Sequence, residues 1–262
     1  MSNICYQQTD HVATITIDRP EKLNTMTVAM DADFNAACRE ATLDDAVRAV
    51  VLTGARGEHG KAFCAGSDIT DLDEYGTNWQ YRNRTDAGKD YVYGLWHVRK
   101  PVVAALFGYC IGGGLELACA SDIRVAEPST RFAAGEIRWG WHGGSGATQF
   151  LTRAVGPGHA CRLLLTGEQI DAAEAHRIGL TQIPAEPGAA VDTARTLAER
   201  IAAMAPIAAQ SAKNLVRVAT STSVEVGMRY ENDMFAYCML TSDAAEGRHA
   251  FAEKRTPSFR GE

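Results

Sequence analysis

No apolar run in this 262-residue chain approaches the roughly 18–20 residues that a membrane-crossing helix needs. The first residues, Met-Ser-Asn-Ile-Cys-Tyr, carry neither a basic stretch nor an apolar core, so no secretory leader is expected. A basic excess is missing too. The formal net charge is −6, which argues against broad contact with a phosphate backbone, although a local basic cluster would still hold a small anionic ligand. The cysteines, Cys5, Cys38, Cys64, Cys110, Cys119, Cys161 and Cys238, are odd in number and include no CxxC pair. Most sit among apolar neighbours, so buried reduced thiols and a cytoplasmic location are expected.

Common cofactor and nucleophile motifs fail by one or two residues. Gly112-Gly113-Gly114 has Leu117 where a dinucleotide fingerprint needs its last glycine. Gly60-Lys61 is followed by Ala62, and Ala55 occupies the first glycine position of a P-loop. The stretch from Gly143 to Ala147 misses a nucleophile elbow at its final residue. His11, His59, His97, His142, His159, His176 and His249 show no HExxH or paired spacing, so no metal is expected.

What is present is an ordinary globular composition, 46% hydrophobic and 22% charged, long enough for one large domain or a domain with an appendage. Alternation over residues 11–18 predicts a strand turning at Arg19-Pro20. Met30, Phe34, Ala37, Cys38 and Ala41 predict a helix over 28–42. The continuous apolar runs 48–54 and 101–107 predict strands covered on both faces. Residues 71–93 are polar and aromatic with weak periodicity, and read as a mobile loop plus a helix, placed like a lid. A helix over 115–121 and a strand over 123–126 follow, with strand–helix alternation to about residue 185.

Beyond Pro187 the pattern is wholly helical: 190–204, 206–220, 224–240 and 244–254, with Pro206 suited to a first helical turn. The third of these helices carries two apolar stripes, one through Val224, Met228, Phe235 and Met239, the other through Tyr230, Met234 and Tyr237. Two stripes fit either a face against another subunit or a helix enclosed on all sides.

Two glycine-containing segments carry the chemistry. Phe63-Cys64-Ala65-Gly66-Ser67-Asp68 ends a strand-to-loop transition, and Gly112-Gly113-Gly114 stands directly before a helix. The first N–H groups of a helix lack intrahelical partners and carry partial positive charge, and glycine lets an oxygen approach them. Either segment alone is explained as well by tight packing of helix on sheet.

The pieces Ile17-Asp18-Arg19-Pro20 with Asn24, AFCAGSDI, GYCIGGGLELACASDI, FAAGEI, TQFLTRAVG and EGRHAFAEKRTPSF occur in order over nearly the whole chain. Together they resemble the crotonase (enoyl-CoA hydratase/isomerase) superfamily, with the enoyl-CoA hydratases as the best fit. The resemblance implies an α/β fold: a crotonase-like spiral of repeated ββα units over residues 1–200, holding the CoA-binding and catalytic site. A helical trimerisation region over 201–262 would follow, with two trimers usually forming a hexamer.

By position, Ser67 and Gly113 resemble the residues whose N–H groups form that family's oxyanion hole, and Glu116 and Glu136 resemble the two glutamates of its hydratases. The implied reaction is reversible syn hydration of a trans-2-enoyl-CoA, with coenzyme A as part of the substrate and no other cofactor. One carboxylate would take a proton from water while a carboxyl proton reaches Cα. Ala65, Asp68 and Ile69 correspond to the adenine-side loop. Lys22 lies near a phosphate-facing turn, and Lys254 matches a lysine that reaches a neighbouring subunit's ligand. Neither nucleic acid nor membrane is an expected partner.

Position 144 is aspartate in branches resembling dienoyl-CoA isomerases, carnitinyl-CoA dehydratases and dehalogenases, and here it is Gly144. The chain departs from the usual hydratase pattern at Gly135, where proline is usual, and at Arg138-Trp139-Gly140-Trp141-His142-Gly143. Core packing is expected for Trp139, which also resembles hydroxycinnamoyl-CoA hydratase-lyases, although those lack a glutamate at 116. For Trp141 and His142, substrate contact and packing stand equal. Rival readings are an enoyl-CoA isomerase, an aryl-acyl-CoA hydratase-lyase, and a non-catalytic acyl-CoA-binding homologue.

Overall fold

The computed structural model describes residues 3–58 and 60–262, without the side chains at 73 and 75. The leader reading at Met1 and Ser2, and His59, lie outside them. The chain opens with an antiparallel hairpin, β1 (Ile4–Thr9) and β2 (Val12–Ile17), turning at Asp10 with φ 52°. Then come α1 (Val28–Leu43), β3 (Ala49–Gly54), β4 (Ala62–Cys64), a 3-10 turn Ile69–Tyr75, α2 (Asn78–Arg82) and α3 (Tyr91–Trp96). Thus 71–93 holds two short helices where one was expected.

The middle of the chain runs β5 (Val102–Leu106), β6 (Tyr109–Ile111), α4 (Gly113–Ala120), β7 (Ile123–Ala126), β8 (Arg131–Ala133) and a 3-10 turn Gly135–Trp139. It continues through α5 (Ala147–Thr166), β9 (Ile170–Asp171), α6 (Ala172–Arg177) and β10 (Ile183–Pro184). Four helices close it: α7 (Ala190–Ala202), α8 (Pro206–Ala219), α9 (Val224–Met239) and α10 (Ser242–Glu253).

One sheet has the order β1-β2-β3-β5-β7-β10, parallel from β2 onward; the other has the order β4-β6-β8-β9. The apolar runs become strands buried on both faces. Val50, Leu52, Val102, Ala104 and Leu106 share a core with α1, α4 and the second sheet. On the opposite face, Ala49, Val51, Val103 and Ala105 meet Ala190, Ala194, Ala198 and Ala202 of α7. Alanines four residues apart form one helical stripe, and their small side chains let α7 lie close on the sheet. Alternation along a strand sends neighbours into different cores, so both faces must be apolar.

Asn24, fully buried with φ 54°, ties the region before α1 to the rest. Its Nδ2 donates to the carbonyls of Ala55 and Ala62, and its Oδ1 accepts from the Arg19 N–H. Of the cysteines, Cys38, Cys64 and Cys110 are buried, Cys5, Cys119 and Cys238 are half-buried, and Cys161 is exposed. The expectation of buried thiols therefore fits three of them. The enclosed reading of α9 is corrected: Val224, Met228, Phe235, Tyr237 and Met239 are all exposed on the single chain. No helix among the described residues is long and apolar enough to cross a membrane.

Candidate active site

Strands β4, β6 and β8 are neighbours and run parallel. Their carboxyl ends open side by side, the usual place for ligands in parallel sheets. After β4, Gly66 turns the chain at φ 96°. Its carbonyl accepts from the Met26 N–H (2.9 Å), and the Asp68 N–H donates to the Met26 carbonyl (2.7 Å). Ser67, between those two bonds, turns its own N–H away from Met26.

After β6, the Gly112 N–H donates to the Ala133 carbonyl at 3.0 Å, and α4 begins at Gly113. Among the described residues, neither the Ser67 nor the Gly113 N–H has an acceptor. The two segments touch, since a Cβ on Gly66 would stand 3.0 Å from the Gly113 nitrogen. A Cβ on Gly114 would reach 2.0 Å from the Cys64 carbonyl oxygen, and one on Gly113 would reach 1.9 Å from the Tyr91 phenol oxygen. Glycine at 114 lets α4 start this close to β4, and glycine at 113 leaves room for the Tyr91 phenol.

After β8, the 3-10 turn carries Glu136. Glu116 reaches the same place from the first turn of α4. A Cβ on Gly143 would lie 2.8 Å from Glu116 Oε1 and 3.4 Å from Glu136 Oε1, so both carboxyls face one spot. Glu116 is 4% exposed. Its Oε1 accepts from the N–H groups of Ser145 (2.8 Å) and Ala147 (3.1 Å). Burial pushes Glu116 up to about 7, against the pull of the Ser145 amide and with a further push from Glu136. Burial also raises Glu136, partly offset by its own backbone N–H and by His142. Glu136 Oε2 is out of reach of solvent and has no hydrogen-bond partner among the described residues. An unpaired buried acceptor is costly unless it is protonated or meets a ligand.

A cavity of about 610 Å³ unites these groups, a volume ordinary for a small-molecule site. Ser67, Gly113, Glu116 and Glu136 line it, as do Ala65 and Ile69 at one side and Trp141 and His142 at another. Trp139 corrects an expectation: it is 65% exposed and lines the cavity instead of filling the core. The 3-10 turn has one inward face, and Glu136 occupies it.

Asp68, Lys22 and Lys254 do not line the cavity. The Asp68 carboxylate accepts from Arg19 Nη1 (2.8 Å) and Thr70 Oγ1 (2.7 Å), which holds it below the usual carboxylate range. Lys22 is exposed on the 3-10 turn Pro20–Lys22, and Lys254 is exposed at the left-handed residue closing α10.

Several residues of the cavity carry no sequence signal. Tyr91 is buried against Phe34 and shares a 3.0 Å hydrogen bond with the Ser67 hydroxyl. The Ser145 hydroxyl donates to Asp90 Oδ2 (2.9 Å) and accepts from Arg84 Nη2 (2.9 Å). Tyr81, Arg84 and Tyr91 come from the weakly periodic stretch before β5. Only the aromatic content of that stretch hinted at a lining.

A family model described as enoyl-CoA hydratase/isomerase matches residues 7–262. The chain is 36% identical over 260 residues to (E)-benzylidenesuccinyl-CoA hydratase of Thauera aromatica, covering 98% of this chain and 99% of that protein. It is 35% identical over 255 residues to a short-chain-enoyl-CoA hydratase of Clostridium acetobutylicum, covering 97% and 96%. Among solved structures, enoyl-CoA hydratase from Bacillus anthracis superposes with a TM-score of 0.92 at 32% identity, covering 99% of this chain and 100% of that one. Enoyl-CoA hydratase from Mycobacterium tuberculosis H37Rv gives 0.90 at 31%, with both chains fully covered. With its fold, its segment order and nearly its full length matched, the chain belongs to the enoyl-CoA hydratase/isomerase family, within the crotonase superfamily.

Proposed function

We propose that the protein is a hydro-lyase that adds water, reversibly and syn, across the double bond of a trans-2-enoyl-CoA. One observation carries this reading: a buried and a half-buried carboxyl converge on one spot beside two adjoining backbone amides that lack acceptors among the described residues. Attack of water at Cβ builds negative charge on the thioester oxygen. Preorganised N–H groups of Ser67 and Gly113 would hold that charge, each donor worth about 3–4 kcal/mol at comparable sites.

Division of labour follows from position. Glu136 Oε1 lies 3.2 Å from where a Cβ on Gly112 would be, next to the amide that receives the oxygen and hence next to Cα. Glu136 is therefore the donor of the Cα proton. Glu116, with Oε1 fixed by two amides, would present its other oxygen to the water that attacks Cβ. The enolate electrons close onto Cα as the Glu136 proton arrives, and the proton that Glu116 took from water passes back to Glu136 as product leaves, restoring the pair. Neither metal nor redox cofactor enters these steps, and coenzyme A is carried by the substrate.

The aromatic wall of Trp139, Trp141, Tyr81 and Tyr91 favours a bulky or aryl acyl group over a short alkyl one. A relative named as a hydratase of (E)-benzylidenesuccinyl-CoA supports the same direction. A homotrimer, or a hexamer built from two, is proposed from the exposed apolar side chains of α9. In such an assembly Lys254 would serve a neighbour's CoA, while Lys22 and Asp68 would act at the mouth of the site, Lys22 on phosphate.

Loss of the conjugated thioester absorbance tests the reading, with crotonyl-CoA and cinnamoyl-CoA as substrates. Glu136→Gln is expected to lower kcat by about 10²–10⁴ while CoA-ester binding persists. Unchanged turnover removes Glu136 from the mechanism. Double-bond migration without hydration would favour an isomerase.

A further inference from the structure

This inference rests on the enoyl-CoA reading above and concerns the acyl group. The cavity does not end at the glutamates. Near Gly144 it adjoins a second, open cavity of about 460 Å³, and the two share Asn78, Tyr81, Arg84 and Gly144. Arg82 and Thr85 complete the second lining, which among the described side chains contains no aspartate or glutamate. Glu116, Glu136 and Asp90 line the first cavity, and Arg82 and Arg84 line the second.

Arg84 is held at that wall. Its Nε–H donates to Asp90 Oδ2 (3.1 Å), its Nη2–H to Ser145 Oγ (2.9 Å), and its guanidinium stacks 5.0 Å from the Tyr81 ring centre. Asp90 is nearly fully buried and also accepts from the Tyr93 N–H at 2.8 Å, so it anchors the guanidinium from the protein side. A Cβ on Gly144 would come within 2.8 Å of Nη2, and glycine there leaves the group at the cavity wall. Arg82 adds a second positive charge; it has no ion pair among the described residues and lies 5.5 Å from the Trp79 ring.

Asp90 already offsets Arg84, and a hydrocarbon tail would leave Arg82 without an opposite charge. A carboxylate gives it a planar, charge-assisted partner. We propose that the second cavity is an anion subsite and that the substrates are 2-enoyl-CoA thioesters whose acyl group bears a carboxylate, bound by Arg84 and Arg82. The nearby acids do not forbid a further one, because burial raises both glutamates and Asp90 is offset by Arg84.

Binding of unreactive saturated thioesters to the whole protein separates the subsite from the chemistry. Calorimetry compares succinyl-CoA with butanoyl-CoA, adipoyl-CoA with hexanoyl-CoA, and suberoyl-CoA with octanoyl-CoA. In at least one pair the carboxylated ester is expected to bind about tenfold tighter, with a gap that shrinks as salt rises. Arg84→Gln and Arg82→Gln should each narrow that gap. Arg84 also braces Ser145, so the exposed Arg82 supplies the independent variant. Equal or weaker binding of every carboxylated ester, or a gap that neither variant changes, overturns the subsite. Hydration of the matching trans-2-enoyl esters is read separately. An intact gap without turnover overturns the hydratase reading alone, and turnover without a gap overturns the subsite alone.

Discussion

Ser145 holds Glu116 by its backbone, its N–H donating to Glu116 Oε1 at 2.8 Å. The Ser145 hydroxyl is itself fixed between Arg84 and Asp90, so contacts run from the region before β5 to a buried carboxyl. Position and protonation of that carboxyl thus depend on residues distant in sequence.

Glu116 is raised from an ordinary 4.5 to about 7, chiefly by burial. The folded protein then binds this proton more tightly than the unfolded chain does. Stability from this group is full below about 4.5 and is lost as pH rises through about 7. Glu116→Gln removes the titration, so the variant should gain stability relative to the parent between pH 5 and pH 8. Urea unfolding at both pH values checks this; a constant difference would show that Glu116 titrates normally.

Gly113→Ala should lower kcat by about 10²–10³, as loss of an oxyanion donor does elsewhere, because its Cβ would meet the Tyr91 phenol oxygen at 1.9 Å. Tyr91→Phe deletes that oxygen and leaves the ring carbon, 3.1 Å from the same Cβ. The double variant should therefore recover much of the loss. Steady-state kinetics of a double-mutant cycle decides, and strictly additive effects would contradict the clash.

Asp122 accepts from Lys213 Nζ at 2.6 Å and from Arg217 Nη2 at 3.2 Å, joining α8 to the start of β7. Burial lowers Lys213 to about 8, with Asp122 opposing the shift. Asp122→Ala leaves that charge buried and should cost about 3–5 kcal/mol near pH 7. The deficit should shrink as pH rises past about 8, since the amine is then neutral in both proteins. Denaturant melts at two pH values measure it.

Trp141→Ala should raise KM for cinnamoyl-CoA several-fold and leave crotonyl-CoA nearly unaffected, because a short chain does not reach the aromatic wall. Equal changes on both substrates would mean that Trp141 supports the Glu136 turn and not the acyl group.

Much of the fold was legible because burial leaves a pattern. Val50 to Leu52 and Val102 to Leu106 are apolar on consecutive residues since both faces of β3 and β5 are covered. β1 leaves no such trace, because past Ile4 it is half-buried or exposed. Strands of three residues, such as β4, β6 and β8, are too short to show a period. The glycine segments were legible because backbone geometry restricts residue type there, whereas Glu116 and Glu136 stood out only through the resemblance. Arg84, Asp90 and Tyr91 were not, because each is placed by contacts across the fold. Trp139 was misread because a bulky apolar residue looks the same in sequence whether it fills a core or walls a cavity.

Glu136, Trp139, Trp141 and His142 all belong to one short turn and the residues just after it, whereas the Ser67 and Gly113 amides hang from sheet strands. Reshaping the aromatic wall therefore drags the proton donor along with it. Retooling this enzyme for a different acyl group would best begin at Tyr81, leaving Arg84 in place because its bond to Ser145 braces Glu116.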